Sequence, residues 1–213
     1  MRKIVGMVLG SVLLAGCASA PEVDPAQAYM VQLQIDKLLK EIRITPGRKG
    51  LLPTAQAEAK TAATHAAFAA EKPTNLVWMQ AHIEDVLHAV DPTVVDAGPG
   101  LGFGVKQAAE GAIKYANIAA ATKGASKGVK THAVHVTTSA KNVVTWSKLI
   151  VRIAKKVKAA KSAKAAAGPV KKIAQLAKRL NPGDDANGDG KVTWSAAEGG
   201  LNEAAKHAGF MSK

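Results

Sequence analysis

Residues 129–157 read VKTHAVHVTTSAKNVVTWSKLIVRIAKKV, and this stretch decides the fold. Val129, Ala133, Val136, Ala140, Val143, Ser147, Ile150, Ala154 and Val157 recur in steps of four and three. That is the heptad spacing of a helix with one buried seam. A strand would need period two, and no sustained period-two run occurs in the chain. A long seam needs partner helices, and the flanking sequence supplies them. Ala28, Val31, Ile35, Leu38, Leu39 and Ile42 line a first helix, which Pro46-Gly47 ends. Pro53-Thr54 opens an Ala-rich second helix reaching about Glu71. Asn75 can cap a third, whose stripe is Leu76, Met79, Ile83, Val86, Leu87 and Val90, closed by Asp91-Pro92. A fourth starts near Val105 with Ala108, Ala109, Ala112, Ala116, Ala119 and Ala120 inward. Gly168-Pro169 is expected to break the chain before a short helix over 170–180 and a last weak one. The pattern predicts an all-α fold, an antiparallel helical bundle over 28–180 with a loop and terminal helix over 181–213.

The chain has 213 residues, 47% hydrophobic and 4% aromatic, so its core must come from close-packed small side chains. A single cysteine excludes an intramolecular disulfide, a Cys-based zinc or iron–sulfur site and CxxCH haem attachment. No GxSxG, HExxH or nucleotide fingerprint occurs, and no spacing singles out a triad; the chain reads as non-enzymatic. The segment Gly98–Gly104 precedes a helix start, a position that can receive phosphate. Val105 and Lys106 follow it, not Lys-Ser/Thr, so it reads as a connection. A weak echo at an offset of 67 pairs Lys60, Thr64, His65, Ala66, Asn75, Val77 and Ile83 with Lys127, Thr131, His132, Ala133, Asn142, Val144 and Ile150. It fits a duplicated hairpin and chance similarity of Ala/Val-rich helices equally.

At the start, Arg2 and Lys3 precede an apolar run from Ile4 to Leu14, too short to span a bilayer. Leu14-Ala15-Gly16-Cys17 follows. This resembles the lipobox of bacterial lipoproteins. The resemblance implies removal of residues 1–16, lipidation of Cys17, and a tether over 17–27. With Ala at position 18 it further implies lipid anchoring to the outer membrane, on the periplasmic face.

Residues 185–196 read DANGDGKVTWSA. Asp185, Asn187 and Asp189 offer oxygens at positions one, three and five, with Gly190 at six where positive φ is needed. Lys191 offers its carbonyl and Thr193 a hydroxyl or bridging water. The segment is similar to EF-hand and dockerin calcium loops over its first nine positions, which implies a calcium ion stapling the C-terminal segment. Position twelve is Ala196 where the pattern wants a carboxylate; Glu198 lies two residues on and is the candidate replacement.

Sixteen Lys or Arg and no acid lie between Gly111 and Gly183. In an exported chain with few aromatics this argues against nucleic acid. The partner such a face fits is anionic: lipid headgroups, lipopolysaccharide or another acidic envelope component. The bland reading is a solvated face that keeps an Ala-rich bundle soluble.

Six histidines remain, and they carry the rival reading, a transition-metal or haem carrier. His65, His82 and His132 are candidates for one buried site. His132 and His135 share a helical face, and Asp85 with His88 makes a D-x-x-H pair. On the third helix's wheel His88 is expected nearly opposite the apolar stripe.

Overall fold

The computed structural model describes residues 24–212. The lipobox and Cys17 lie outside that range. The described residues form α1 (Pro25–Leu39), α2 (Leu51–Glu71), α3 (Leu76–Val90), α4 (Val105–Ala121), α5 (Lys127–Ala159), α6 (Ala163–Arg179) and α7 (Leu201–Met211), with a short 3₁₀ turn at Pro46–Arg48. Among them there is no β-strand beyond one isolated bridge between Glu41 and Lys49. The all-α reading holds. No described helix is long and apolar enough to cross a membrane.

The heptad helix α5 is the centre of the bundle and packs against α3, α4, α6 and α7. Its predicted seam is buried at every position from Val129 to Val157. α2 packs against α3, α4 and α6, and α1 closes one side over α4. Ala55, Ala59, Ala62, Ala66 and Ala69 of α2, with Ala108, Ala109, Ala112, Ala116 and Ala119 of α4, are almost wholly buried. Small side chains let helix axes approach closely, and close packing replaces bulk as the source of cohesion.

Four of the seven described helices start at a polar side-chain cap; the other three follow a glycine. Asp24 accepts the Ala26 amide at 2.9 Å, so α1 begins at Pro25, inside the expected tether. Asn75 accepts Trp78 N at 3.0 Å, Ser126 accepts Val129 N at 3.1 Å and Ser162 accepts Ala165 N at 3.3 Å. Each cap satisfies one of the amides a helix start leaves free.

One local expectation is corrected and one open alternative is closed. The break falls at Ala160–Ser162, not at Gly168-Pro169, and α6 runs through Pro169. The buried stripe Ala166, Val170, Ile173, Leu176 and Ala177 spans the proline, so packing outweighs the lost amide. The Gln80 amide donates to the carbonyls of Val157, Lys158 and Ala160 at 3.1–3.2 Å, fastening the end of α5. Finally, the offset-67 echo is not a repeated hairpin: Asn75 caps α3, whereas its counterpart Asn142 lies in the middle of α5.

The connection between α3 and α4 folds back over α2 and α3. Glu58, with no exposed surface, projects from α2 into it. Its Oε1 accepts the amides of Phe103 and Gly104 at 2.8 and 3.0 Å, and its Oε2 accepts Leu101 N at 3.1 Å. The amides that a phosphate would need are therefore occupied by the protein's own carboxylate. Gly100 has φ +119°, and a Cβ there would collide with Glu58 Oε2. The same fold-back buries His88, whose Nδ1 lies 2.9 Å from the Val95 carbonyl. Its expected exposure fails because the covering element is a loop, which a helical wheel does not represent.

Candidate metal centres

The turn between α2 and α3 is short and braced. Trp78 Nε1 donates to the Phe68 carbonyl at 2.6 Å, and Lys72 Nζ lies 3.7 Å from the Trp78 ring centroid. This register sets His65, near the end of α2, opposite His82 and Asp85, one turn apart on α3. His65 Nδ1 lies 2.9 Å from Asp85 Oδ2, His82 Nδ1 lies 3.3 Å from the same oxygen, and the two Nδ1 atoms are 3.1 Å apart. Phe68 and Trp78 wall the cluster: the Trp78 ring meets His82 edge-on, with centroids 4.4 Å apart. The three side chains keep 20%, 17% and 29% of their surface exposed, so the donors are reachable from solvent.

A second cluster forms at the other end of α5's partnership with α7. His132 and His135 lie on one face of α5's first turns. His207 of α7 reaches them, its Nδ1 lying 3.1 Å from His132 Nδ1 and 3.3 Å from His135 Nδ1. His135 stacks on Trp194, ring centroids 3.9 Å apart at 14°. Burial, then the neighbouring His135 and His132, push the His207 pKa down to about 4; Glu203 opposes this only in part. Burial and His132 lower His135 as well. At neutral pH His207 is thus an uncharged imidazole, the form that ligates metal.

α7 is held in place by Asn142 of α5. Asn142 Nδ2 donates to the carbonyls of Ser195 at 2.9 Å and Gly199 at 3.1 Å, and its Oδ1 accepts the amide of Ala197 at 2.9 Å.

The histidine expectation therefore divides. His65 and His82 belong to one group with Asp85, and His132 belongs to another with His135 and His207. The D-x-x-H pair does not form a site: Asp85 turns to His65 and His82, while His88 turns to Val95. Both groups converge on a point. Paired axial ligands of a haem iron come from opposite faces of its macrocycle, whereas imidazole nitrogens 3.1 Å apart have the spacing of two donors to one bare ion. Sequence reading missed two partners. Asp85 was visible as one turn from His82 (H-x-x-D); His207 carried no local signal, since only tertiary packing brings it to α5.

In the loop 185–196, Asp185 Oδ1 accepts Gly188 N at 2.8 Å and Asp189 N at 3.1 Å, and its Oδ2 accepts Gly190 N at 2.9 Å. Asn187 and Asp189 each accept an amide two residues on, at 2.9 Å. Gly190 has φ +82°, as the sixth position requires. The buried Glu198 turns back toward the loop, but onto Thr193, accepting from its Oγ1 at 2.6 Å and its amide at 3.2 Å. Among the described residues Asp185, Asp189 and Glu198 do not gather at metal-binding spacing.

The basic half lies along the end of α5 and the exposed face of α6. Lys158 pairs with Glu84 at 2.6 Å and Arg179 with Asp184 at 3.0 Å. Lys155, Lys156, Lys161, Lys164, Lys171, Lys172 and Lys178 are exposed.

Compared with protein-family models, with curated proteins and with solved structures, the chain matches none.

Proposed function

We propose that this protein is an exported, non-enzymatic binder of a divalent transition-metal ion, held to the outer membrane by lipid on Cys17. The carrying observation is the convergence of His65 Nδ1, His82 Nδ1 and Asp85 Oδ2, with every pair 2.9–3.3 Å apart. Two donors about 2.1 Å from one ion stand roughly 3.0 Å apart at an octahedral angle and roughly 3.4 Å apart at a tetrahedral one. All three edges of the cluster lie near that span. An ion touching all three would keep its remaining positions open on one side. Two imidazoles and a carboxylate suit ferrous iron, cobalt, nickel or zinc. Cobalt(II) added to metal-free protein is expected to give visible d–d bands that saturate, and Asp85→Asn is expected to weaken that binding at least tenfold. Bands unchanged in Asp85→Asn would defeat the reading. The anchor has its own test: Cys17→Ser should move the protein from the membrane fraction to the soluble fraction.

Calcium at the 185–196 loop is the second reading. It is favoured by the run of amides already gathered on Asp185, Asn187 and Asp189 and by the left-handed turn at Gly190. With no position-twelve carboxylate, its affinity belongs to the 10⁻⁴–10⁻³ M range of extracellular modules. Millimolar calcium should raise Tm, and Asp185→Ala with Asp189→Ala should abolish the rise.

A further inference from the structure

The α5–α7 interface holds a group of different chemistry. His132, His135 and His207 share no donor with the first cluster, and all three offer nitrogen. One ring nitrogen of each lies within 4.8 Å of those of the other two, and His207 Nδ1 lies 3.1 and 3.3 Å from the Nδ1 atoms of His132 and His135. Packing fixes each ring. Trp194 stacks on His135, and His132 and His207 lie parallel to within 25° with centroids 5.2 Å apart. On the far side of the His207 ring, Glu203 Oε2 stands 3.6 Å from Nε2. A carboxylate behind the non-ligating nitrogen is the usual outer partner of a metal-bound imidazole; at 3.6 Å Glu203 is placed beside that nitrogen and would have to close slightly to accept its proton. In the absence of an ion these nitrogen–nitrogen contacts are imidazole hydrogen bonds, and the same spacing lets a single ion take a nitrogen from each ring.

We infer that His132, His135 and His207 form a second metal centre, for a copper(II)- or zinc-class ion with water in its fourth position, and that the bound ion fastens α7 to α5. Three imidazoles suit copper and zinc above calcium, magnesium or manganese. Two of the ligands belong to α5 and the third to the C-terminal helix, so binding energy becomes docking energy for residues 195–211. The inference stands apart from the first cluster, since neither site borrows a ligand from the other.

The test uses the full chain, stripped of metal by chelation. In His65→Ala/His82→Ala protein, which lacks the first cluster, zinc calorimetry is expected to find one equivalent bound. Copper(II) should quench the Trp194 emission of that protein in a Trp78→Phe/Trp146→Phe background. Amide exchange over 201–211 should slow on zinc binding while that of α2 does not change. His207→Ala is expected to lose more than a hundredfold in zinc affinity. Because His207 is buried, the half-exposed His132→Asn is the second variant; it should melt as the parent does without metal and still bind zinc weakly. Glu203→Gln, which leaves all three ligands in place, should cost ten- to a hundredfold. No zinc bound by the His65→Ala/His82→Ala protein, or unaltered affinity in both His132→Asn and His207→Ala, overturns the inference. Cobalt bands retained by His132→Asn/His207→Ala protein report on the first cluster alone, so failure at one site is distinguishable from failure at the other.

Discussion

Glu58 is the residue on which the Gly-rich connection depends. A carboxylate with no exposed surface is tolerable only where donors replace its water, and three backbone amides do so at 2.8–3.1 Å. Glu58→Gln puts an amide NH₂ where an acceptor is needed, so it is expected to cost about 2 kcal/mol, a fall of roughly 4–8 °C in Tm for a domain of this size. Thermal melting checks this, and an unchanged Tm would mean that the amides find other partners. Asp91, at the other end of the connection, makes a pH prediction. Burial works against its charge, but Lys106 and Thr93 more than compensate and hold its carboxyl below the usual range. The sign follows. A carboxyl with a lowered folded pKa stabilises above its unfolded value near 3.8 and loses that contribution as pH falls further. Asp91→Asn should therefore lower Tm at pH 7 and make progressively less difference below about pH 4. Neither residue stood out in the sequence. Glu58 looks like any charged residue on an Ala-rich helix, because the donors that accept its burial are forty-odd positions away.

At the scale of elements, period carried most of the information. The α5 seam, the α3 stripe and the inward alanines of α4 were legible because a helix's buried face depends on spacing, and spacing is printed in the sequence. What spacing does not record is coverage by irregular chain, which is why His88 reads as exposed and is buried. Nor does it record when packing overrides a breaker, as at Pro169. The docking of the C-terminal segment belongs to the same class. Asn142 lies on α5 as one polar residue beside the seam, yet it meets two carbonyls and one amide of residues 195–199. Asn142→Ala removes all three bonds and leaves buried polar groups behind, at a cost of about 1–3 kcal/mol. Because those bonds join one segment to the bundle, the loss should be local. Hydrogen exchange should accelerate over 195–211 and stay unchanged in α2, α3 and α4; uniform acceleration would show instead that the segment and the bundle unfold as one unit.

Across the whole molecule, charge and ligands are segregated. The candidate metal ligands lie on α2, α3 and the α5–α7 contact, whereas the unpaired lysines crowd the end of α5 and α6. Two of the three ligands of each candidate metal site were legible, as histidines on helices; the pairing was not, because it depends on which helices the bundle sets side by side. The basic face, by contrast, is legible in the sequence alone, since an acid-free run of this length can find acids only outside itself wherever it folds. If the protein is anchored at a membrane, that face is the one suited to anionic headgroups. The contribution is about 1 kcal/mol for each well-placed lysine at low screening and falls off within a Debye length. Cys17→Ser protein, which has no lipid to confuse the measurement, should therefore bind vesicles containing an anionic lipid at low salt and be released by 0.5 M salt. Replacing Lys155, Lys156, Lys161 and Lys164 by Gln should weaken that binding by a factor on the order of 10²–10³. These residues are exposed, so Tm should not move. Equal binding to neutral and anionic vesicles, or indifference to the four substitutions, would reduce the basic half to a solubilising surface.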